Sequence, residues 1–292
     1  MSIKNVSFVG LGVMGYPMAG HLKKNGYNVT VFNRTEYKSQ KWVDEHGGKM
    51  GKTPAEACAN AKIVFICVGR DEDIIEVMEG KSGILSSARE GLIIVDHTTA
   101  SAEIARTYFE KLQKLNIAFL DAPISGGQAG AENGALSIML GGELKDYEVV
   151  KPVLESYGKA IELIGSSGSG QIAKMINQIC IAGLVQGLSE GMAFGKKANV
   201  DMEKVLSVIS KGAAQSWQME NRYRTMLEGK FDYGFAVDWM RKDLAIVIEE
   251  AKRNGSPVPI TEIVDGYYSK VQEMGGNRWD SSSLIALLKK KK

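Results

Sequence analysis

One stretch of the chain carries the side chains best suited to acid–base chemistry, Lys174, Asn177 and Gln178. Residues three and four apart share a helix face, so these side chains form one polar cluster. Apart from these three and Gln171, residues 171–185 have no polar side chain, and they contain no proline, which predicts a long helix, buried on most sides, that reaches about to Lys197. A lysine among apolar side chains is unfavourable unless it has hydrogen-bond partners or a chemical task. The alternative is a lysine that extends its amine to solvent, but the amides beside it and two glycines upstream favour a functional residue.

A glycine-rich turn near the N-terminus has the spacing of a dinucleotide-binding loop, Gly10-Leu11-Gly12-Val13-Met14-Gly15. It follows a short β-rich run, residues 3–9, and precedes a helix-compatible stretch and a second strand, residues 27–32. In this order the first glycine permits a tight turn, the second lets the backbone approach a pyrophosphate, and the third allows close packing of helix on strand. The N-terminus of the helix then faces the anion. The alternative is a glycine-rich turn without a ligand.

The residues after the second strand bear on the choice of cofactor. NAD-selecting folds usually place an acidic residue here, whereas this chain has Asn33-Arg34-Thr35. Without a carboxylate to repel it, a 2′-phosphate can lie against the guanidinium, the hydroxyl and the amide. This favours NADP. The alternative is that Arg34 only stacks on the adenine and that both cofactors are used.

The first half continues as alternating strands and helices. Buried strands are predicted at residues 63–68, 92–95, 117–120, 137–141 and 161–165. Continuous apolar runs of this kind are typical of parallel strands covered on both faces, and ligands of open α/β sheets bind beyond the carboxyl ends of the strands. We therefore predict an α/β fold, a Rossmann-type doubly wound sheet over residues 1–165. Its ligand-facing loops are those at Gly10, Val68, Thr99 and Ser125.

Ser125-Gly126-Gly127 follows the strand at residues 117–120 and its Asp121-Ala122-Pro123 turn. A serine and two glycines after a buried strand expose consecutive backbone N–H groups, which form a concavity suited to a carboxylate. The alternative is an ordinary turn.

The second half shows helical signals alone. We predict an all-α C-terminal domain, residues 166–292, joined to the sheet through the long helix and serving as an interaction surface and one wall of a cleft. Its adjacent charges, Lys242 and Asp243, read by themselves as a solvated pair.

The composition is typical of an ordinary soluble globular protein. The chain has 292 residues, is 44% hydrophobic and 24% charged, and carries a net charge of +2, which gives no argument for nucleic acid or an anionic membrane. Its three cysteines are few and set in apolar surroundings, which indicates reduced thiols and a cytoplasmic protein. No metal-binding motif, signal sequence or apolar run of the ~18 residues needed for a membrane span is apparent. The basic tail, residues 289–292, reads as a solvated terminus.

Four of these motifs, in this order, resemble the β-hydroxyacid dehydrogenases over essentially the whole chain. They are the glycine loop, the run from Asp121 to Gly127, the run from Gly168 to Gln178, and Lys242-Asp243-Leu244. The resemblance implies an NADP- or NAD-dependent enzyme in which Lys174 is the general acid/base. It further implies that Ser125, Gly126 and Gly127 bind the substrate carboxylate with Asn177 or Gln178. Thr99 and Lys242 would line the nicotinamide pocket, with Phe235 close to the substrate.

The resemblance leaves the substrate open. The best match is to 3-hydroxyisobutyrate dehydrogenases, while the Asn177-Gln178 pair resembles tartronate semialdehyde reductases and Asn33-Arg34-Thr35 resembles glyoxylate/succinic semialdehyde reductases. Two other readings are a non-catalytic dinucleotide-binding scaffold and an imine reductase of the same architecture, which usually lacks the lysine. We expect a homo-oligomer, a dimer or tetramer, formed through the helical domain.

Overall fold

The computed structural model describes residues 3–288. The basic tail, residues 289–292, lies outside this range. Contacts divide the chain into two compact units that meet between Lys174 and Met175. The first unit is a mixed α/β sheet structure and the second is helical. The predicted fold class, a Rossmann-type sheet followed by a helical part with a long connecting helix, is confirmed; the boundary placed at residue 165 stays a prediction.

Nine strands lie within the described residues and form one sheet. They are β1 (Asn5–Val9), β2 (Asn28–Phe32), β3 (Lys49–Met50), β4 (Ile63–Ile66), β5 (Ile93–Asp96), β6 (Ala118–Asp121), β7 (Ile124–Ser125), β8 (Leu136–Gly141) and β9 (Gly158–Gly165). The order is β3-β2-β1-β4-β5-β6-β8-β7, with β9 paired to β8. Strands β1 to β6 are parallel to one another. Their buried residues, such as Phe8 and Phe65, form the core between the sheet and its helices.

The expectation of parallel strands fails at β8. This strand runs antiparallel to both β6 and β7, whereas β9 is parallel to β8. Only residues 126–135 connect β7 to β8, and a parallel connection needs a crossover of a dozen or more residues. Since β6 and β7 are antiparallel to the same strand, they run in one direction, and Ser125 ends at the carboxyl edge as predicted.

Twelve α-helices connect and follow these strands in the described part of the chain. They are α1 (Gly15–Lys24), α2 (Glu36–His46), α3 (Pro54–Cys58), α4 (Asp71–Glu79), α5 (Ala102–Gln113), α6 (Gly127–Glu132), α7 (Leu144–Leu154), α8 (Ser169–Lys197), α9 (Met202–Ile209), α10 (Trp217–Glu228), α11 (Val237–Asn254) and α12 (Pro259–Glu273). Two 3-10 turns occur at Ile84–Ser86 and Ser281–Leu288. Side-chain caps start several helices; Thr53, for example, accepts a hydrogen bond from the Glu56 N–H at 3.1 Å.

Helix α8 has one buried face rather than being buried on most sides. Ala182, Val185 and Met192 are buried in the second unit, whereas Ile176 and Phe194 are exposed. By length and composition α8 is also apolar enough to cross a membrane, a test that core helices pass too. We did not expect this from the sequence, because amides and glycines interrupt the apolar run of α8. These residues carry no charge, so the mean hydropathy of the helix stays high.

Candidate active site

The glycine loop between β1 and α1 has the geometry its spacing predicts. Gly10 has a φ of 101°, and a Cβ there would lie 2.2 Å from the Cys67 carbonyl oxygen. A Cβ on Gly15 would lie 2.0 Å from the carbonyl oxygen of Gly10, so helix and turn touch directly. A Cβ on Gly12 would meet open space. The first and third glycines are therefore required by packing, and the second leaves the loop open to a ligand.

The side chains of the loop divide between the core and the open side. Leu11 is buried, and its N–H donates to the Asn33 Oδ1 at 2.9 Å. Val13 is exposed and Met14 half-buried, and Met14 makes no side-chain cap at the start of α1. No side chain therefore caps the N-terminus of α1, and the positive end of the helix dipole there is a favourable site for an anion.

The three polar residues after β2, Asn33, Arg34 and Thr35, make different contacts. Asn33 holds the loop, because its amide also donates to the Thr35 carbonyl at 3.1 Å. Arg34 is 89% exposed and lies 3.6 Å from a carboxylate oxygen of Asp73, an exposed ion pair of small energy. Thr35 begins α2 without a hydrogen bond from its side chain to the helix. The Arg34 guanidinium and the Thr35 hydroxyl are exposed, while the Asn33 amide supports the loop; that these residues contact a 2′-phosphate stays a prediction.

The loops after β4 and β5 are tied to each other. The Val68 N–H donates to the Thr98 hydroxyl at 3.0 Å, and the Thr98 N–H donates to the Asp96 carboxylate at 2.9 Å. Thr99 is half-buried beside these residues. Since β1, β4 and β5 are adjacent and parallel, Gly10, Val68 and Thr99 lie along the same edge of the sheet, as predicted.

Ser125 ends β7, and the two glycines after it are exposed. Gly126 has a φ of 134° and Gly127 a φ of 61°, conformations that L side chains rarely adopt. Only glycine fits this turn without strain, and the turn presents its backbone at the carboxyl edge of the sheet.

The buried carboxylate of Asp121 organises the start of α8. Its Oδ1 accepts from the Gly168 N–H at 2.7 Å, and its Oδ2 accepts from the Gln171 N–H at 2.9 Å. A Cβ on Gly170 would lie 2.4 Å from the Met139 carbonyl oxygen, and one on Gly141 would lie 2.6 Å from the carboxylate. The glycines upstream of the lysine therefore serve the close approach of this helix end to the sheet.

Lys174 lies one turn further along α8 and is 8% exposed. The alternative of a lysine extended into solvent is excluded by this burial. A lysine buried to this extent normally has either a chemical function or specific partners for its charge.

Within the second unit, Gln178 and Asp243 form a polar network. Gln178 is 2% exposed; its amide donates to the Asp243 Oδ2 at 2.7 Å, and its oxygen accepts from the Asn177 amide at 2.8 Å. The Lys242 ammonium lies 2.9 Å from the other oxygen of Asp243, an ion pair without hydrogen-bond alignment. Asp243 is 2% exposed, so the interpretation of a solvated pair is wrong.

Phe235 precedes α11, where its N–H donates to the buried Asp280 carboxylate at 2.9 Å. Its side chain is exposed. The side chain predicted to lie close to the substrate is therefore on a segment whose backbone is held in place.

Two family models together match nearly the whole chain. Residues 5–165 match the NAD binding domain of 6-phosphogluconate dehydrogenase, and residues 168–288 match the NAD-binding domain of NADP-dependent 3-hydroxyisobutyrate dehydrogenase. The chain belongs to the β-hydroxyacid dehydrogenase family. As a member of this family it is an oxidoreductase, an NAD(P)-dependent dehydrogenase.

Relatives of this β-hydroxyacid dehydrogenase align over almost their full lengths. A Shewanella frigidimarina protein named uncharacterized oxidoreductase is 59% identical over 285 residues, 98% of both chains. The 2-hydroxy-3-oxopropionate reductase of Escherichia coli is 32% identical over 97% of this chain and 96% of its own. The solved 3-hydroxyisobutyrate dehydrogenase of Mycobacterium tuberculosis, with L-serine, has a TM-score of 0.87 at 25% identity, covering 99% of this chain and 100% of that one.

The residues of the first unit fit a nicotinamide dinucleotide. The open side of Gly12, the start of α1 without a side-chain cap and the exposed side chains of Arg34 and Thr35 suit the phosphates of such a cofactor. The dehydrogenase would hold the pyrophosphate at Gly12 and α1, and the loops at Val68 and Thr99 would follow along the same edge.

Burial shifts the protonation of acids and bases behind this edge. It raises the pKa of Asp96 to about 7, against hydrogen bonds from Thr98 that lower it. It also raises the pKa of Asp121, against backbone N–H donors. Burial lowers the pKa of His97 to about 4. His97 is therefore a neutral structural residue whose Nδ1 donates to the Ala122 carbonyl at 2.7 Å and whose Nε2 accepts from the Tyr157 hydroxyl at 2.8 Å.

The sequence interpretation missed Asp121, Gln171 and Asp243 as members of the polar networks around the predicted site. Each stood inside a motif that was quoted for other residues. Cys180 also departs from expectation, since it is exposed while Cys58 is buried and Cys67 half-buried; all three are free thiols.

Proposed function

We propose that the protein is an NADP-preferring enzyme that interconverts a small carboxylated alcohol and its aldehyde, most like 3-hydroxyisobutyrate dehydrogenase. The observation that carries the proposal is the burial of Lys174 one turn beyond a helix start built on Asp121. A lysine in such a place is suited to move a proton in a water-poor site.

The cofactor, when bound, supplies or accepts the hydride. In reduction, negative charge develops on the carbonyl oxygen, and a cationic Lys174 stabilises this charge and donates the proton. In oxidation the amine must be neutral before it can take the proton of the alcohol, so oxidation is favoured at alkaline pH. The backbone at Ser125, Gly126 and Gly127 binds the substrate carboxylate and thereby places the carbonyl.

The preference for NADP rests on the end of β2. Arg34 and Thr35 offer a mobile cation and a hydroxyl, and residues 33–35 contain no carboxylate. The exposed contact of Arg34 with Asp73 is weak enough to exchange for a phosphate, which makes charge-assisted bonds.

The names of the relatives support the proposed substrate class. The E. coli relative is named for 2-hydroxy-3-oxopropionate and the M. tuberculosis structure for 3-hydroxyisobutyrate; both are three- or four-carbon carboxylates. Glyoxylate or succinic semialdehyde and tartronate semialdehyde are the alternatives to 3-hydroxyisobutyrate. An enzyme that discriminates among them does so through one or two groups, worth about 1–3 kcal/mol each.

A panel of short hydroxyacids and semialdehydes, assayed with NADPH and NADH, tests the proposal. We expect the highest kcat/KM for one small carboxylate with NADPH, and loss of turnover when its carboxylate is methylated. Arg34→Asp should reverse the cofactor preference, whereas Lys24→Asp, the same charge change at the far end of α1, should not. Preference of the wild type for NADH, or equal turnover of acid and ester, contradicts the corresponding part of the proposal.

We further propose a cytoplasmic homo-oligomer, a dimer or tetramer formed through the helical unit, with no nucleic-acid or membrane partner. Exposed apolar side chains on this unit support self-association, among them Ile176 and Leu184 on α8 and Ile260 on α12. Ile260 lies beside Gly183, so the two helices share one apolar patch. Light scattering tests this: Leu184→Glu should lower the molecular mass relative to the wild type, and a monomeric wild type contradicts it.

A further inference from the structure

The start of α8 is bound to two strand ends of the first unit. Asp121, at the end of β6, is fully buried and accepts hydrogen bonds from the backbone N–H groups of Gly168 and Gln171. The side chain of Gln171 reaches the segment after β5, where its oxygen accepts from the Ala100 N–H at 3.1 Å and its amide donates to the Thr98 carbonyl at 2.8 Å. We call these two residues the α8 anchor.

The α8 anchor lies next to the two residues expected to face the nicotinamide and the substrate. Thr99 stands between Thr98 and Ala100, so Gln171 holds the backbone on both sides of it. Lys174 follows Gln171 by three residues, and in an α-helix its N–H pairs with the carbonyl of Gly170. Both residues are therefore fixed through one buried carboxylate and one buried amide.

We propose that Asp121 and Gln171 are positioning residues that fix Lys174 and Thr99 relative to each other. The inference rests on the proposed role of Lys174. A helix end that is held only by caps frays. Here four hydrogen bonds, two made by Asp121 at the end of β6 and two made by the Gln171 side chain to the segment after β5, hold the first turn of α8 in a single position. Catalysis by a positioned acid depends on this placement, since an error of 1 Å can reduce the rate about 10²-fold.

Asp121→Asn is the variant that separates positioning from folding. The two carboxylate oxygens accept from two different N–H groups, so an amide of the same size must direct its NH2 at one of them. We expect kcat to fall by about tenfold to a hundredfold, with the dissociation constant of NADPH changed less than about threefold. Gln171→Met, which keeps the volume and loses both loop contacts, should lower kcat by about threefold to tenfold.

The control is Thr53→Ala, which removes the side-chain cap of α3 in the same unit. It should lower the melting temperature while kcat stays at the wild-type value. In the double variant Asp121→Asn/Lys174→Ala, kcat should equal that of Lys174→Ala alone, because a positioning residue has no effect once the group it positions is removed. An independent structural effect would multiply the two losses.

The possible results separate a failure of the positioning role of Asp121 and Gln171 from a failure of the proposed function. If Lys174→Ala is inactive and both anchor variants keep the wild-type kcat, the inference is overturned and the function stands. The same holds if Asp121→Asn lowers kcat by the same factor in the Lys174→Ala background as in the wild type. If Asp121→Asn does not fold, the same comparison is made with Gln171→Met. The effect of Gln171→Met on kcat is then measured in the wild type and in the Lys174→Ala background. If Lys174→Ala retains full activity, the proposed function fails first.

Discussion

Two buried aspartates bind the two glutamines that flank Lys174 on α8, and their partners differ in kind. In the first unit Asp121 accepts from backbone N–H groups, and the Gln171 amide contacts the backbone at Thr98 and Ala100. In the second unit Asp243 is bound by side chains, and Gln178 in turn binds the side chain of Asn177.

The difference determines what each network can do. Backbone partners have positions fixed by the sheet and the helix, so the first network is suited to holding one geometry. Side-chain partners occupy staggered rotamers, and another residue or a ligand can move them from one rotamer to another. The second network is therefore suited to holding the Asn177 side chain in more than one rotamer, while the first holds the start of α8 in one geometry.

The comparison predicts unequal losses from equal substitutions. Gln171→Leu leaves the buried Ala100 N–H and Thr98 carbonyl without their partner and should lower the free energy of unfolding by about 2–4 kcal/mol. Gln178→Leu should lower it by about 1 kcal/mol, since the ammonium of Lys242 can move onto the vacated oxygen of Asp243. Urea denaturation with a constant m-value measures both. An equal or larger loss for Gln178→Leu would contradict the distinction.

A smaller and pH-dependent effect is expected at Asp96, which pairs in register with Asp121. Burial raises its pKa from 3.8 to about 7, so between these values the folded chain binds a proton that the unfolded chain does not. Below pH 3.8 Asp96 is protonated in both the folded and the unfolded chain, and it does not destabilise the fold. As the pH rises from 3.8 to about 7, the free energy of unfolding decreases, because the folded chain holds this proton and the unfolded chain releases it. Asp96→Asn should therefore gain stability relative to the wild type as the pH rises from 4 to 7, by at most about 1.4 kcal/mol per pH unit.

Urea midpoints of Asp96→Asn and the wild type at pH 4, 5.5 and 7 measure this difference. The lowered pKa of His97, about 4, has the opposite effect in the same range and is present in both proteins, so it cancels. A stability difference that does not change with pH would show that Asp96 is ionised at neutral pH in the folded state.

Local patterns predicted the parts of the fold that depend on neighbouring residues. Gly10 and Gly15 are required by close contacts of a short turn, and the long apolar run near Lys174 is a helix as expected. Long-range pairings escaped prediction. Asp121 and Gln171 are 50 residues apart, and Asp243 lies 65 residues from Gln178, so no spacing rule connects them.

Short elements escaped for another reason. β3 and β7 have two residues each, too few for a periodic pattern, and β8 reversed direction because its connection is short. The contact of Asn33 with a 2′-phosphate stays a prediction; its hydrogen bonds with Leu11 and Thr35 depend on the folded loop and could not be predicted from the residue type.

The central claim is that Lys174 is the proton donor and acceptor, and its most direct test is the kcat of Lys174→Ala measured together with NADPH affinity and melting temperature. We expect kcat to fall by about 10² or more while the melting temperature and NADPH binding, for which we propose the glycine loop and Arg34, are retained. Lys174→Arg should be nearly as inactive, because a guanidinium does not release a proton near neutral pH. A stable Lys174→Ala enzyme with the kcat of the wild type would contradict the claim.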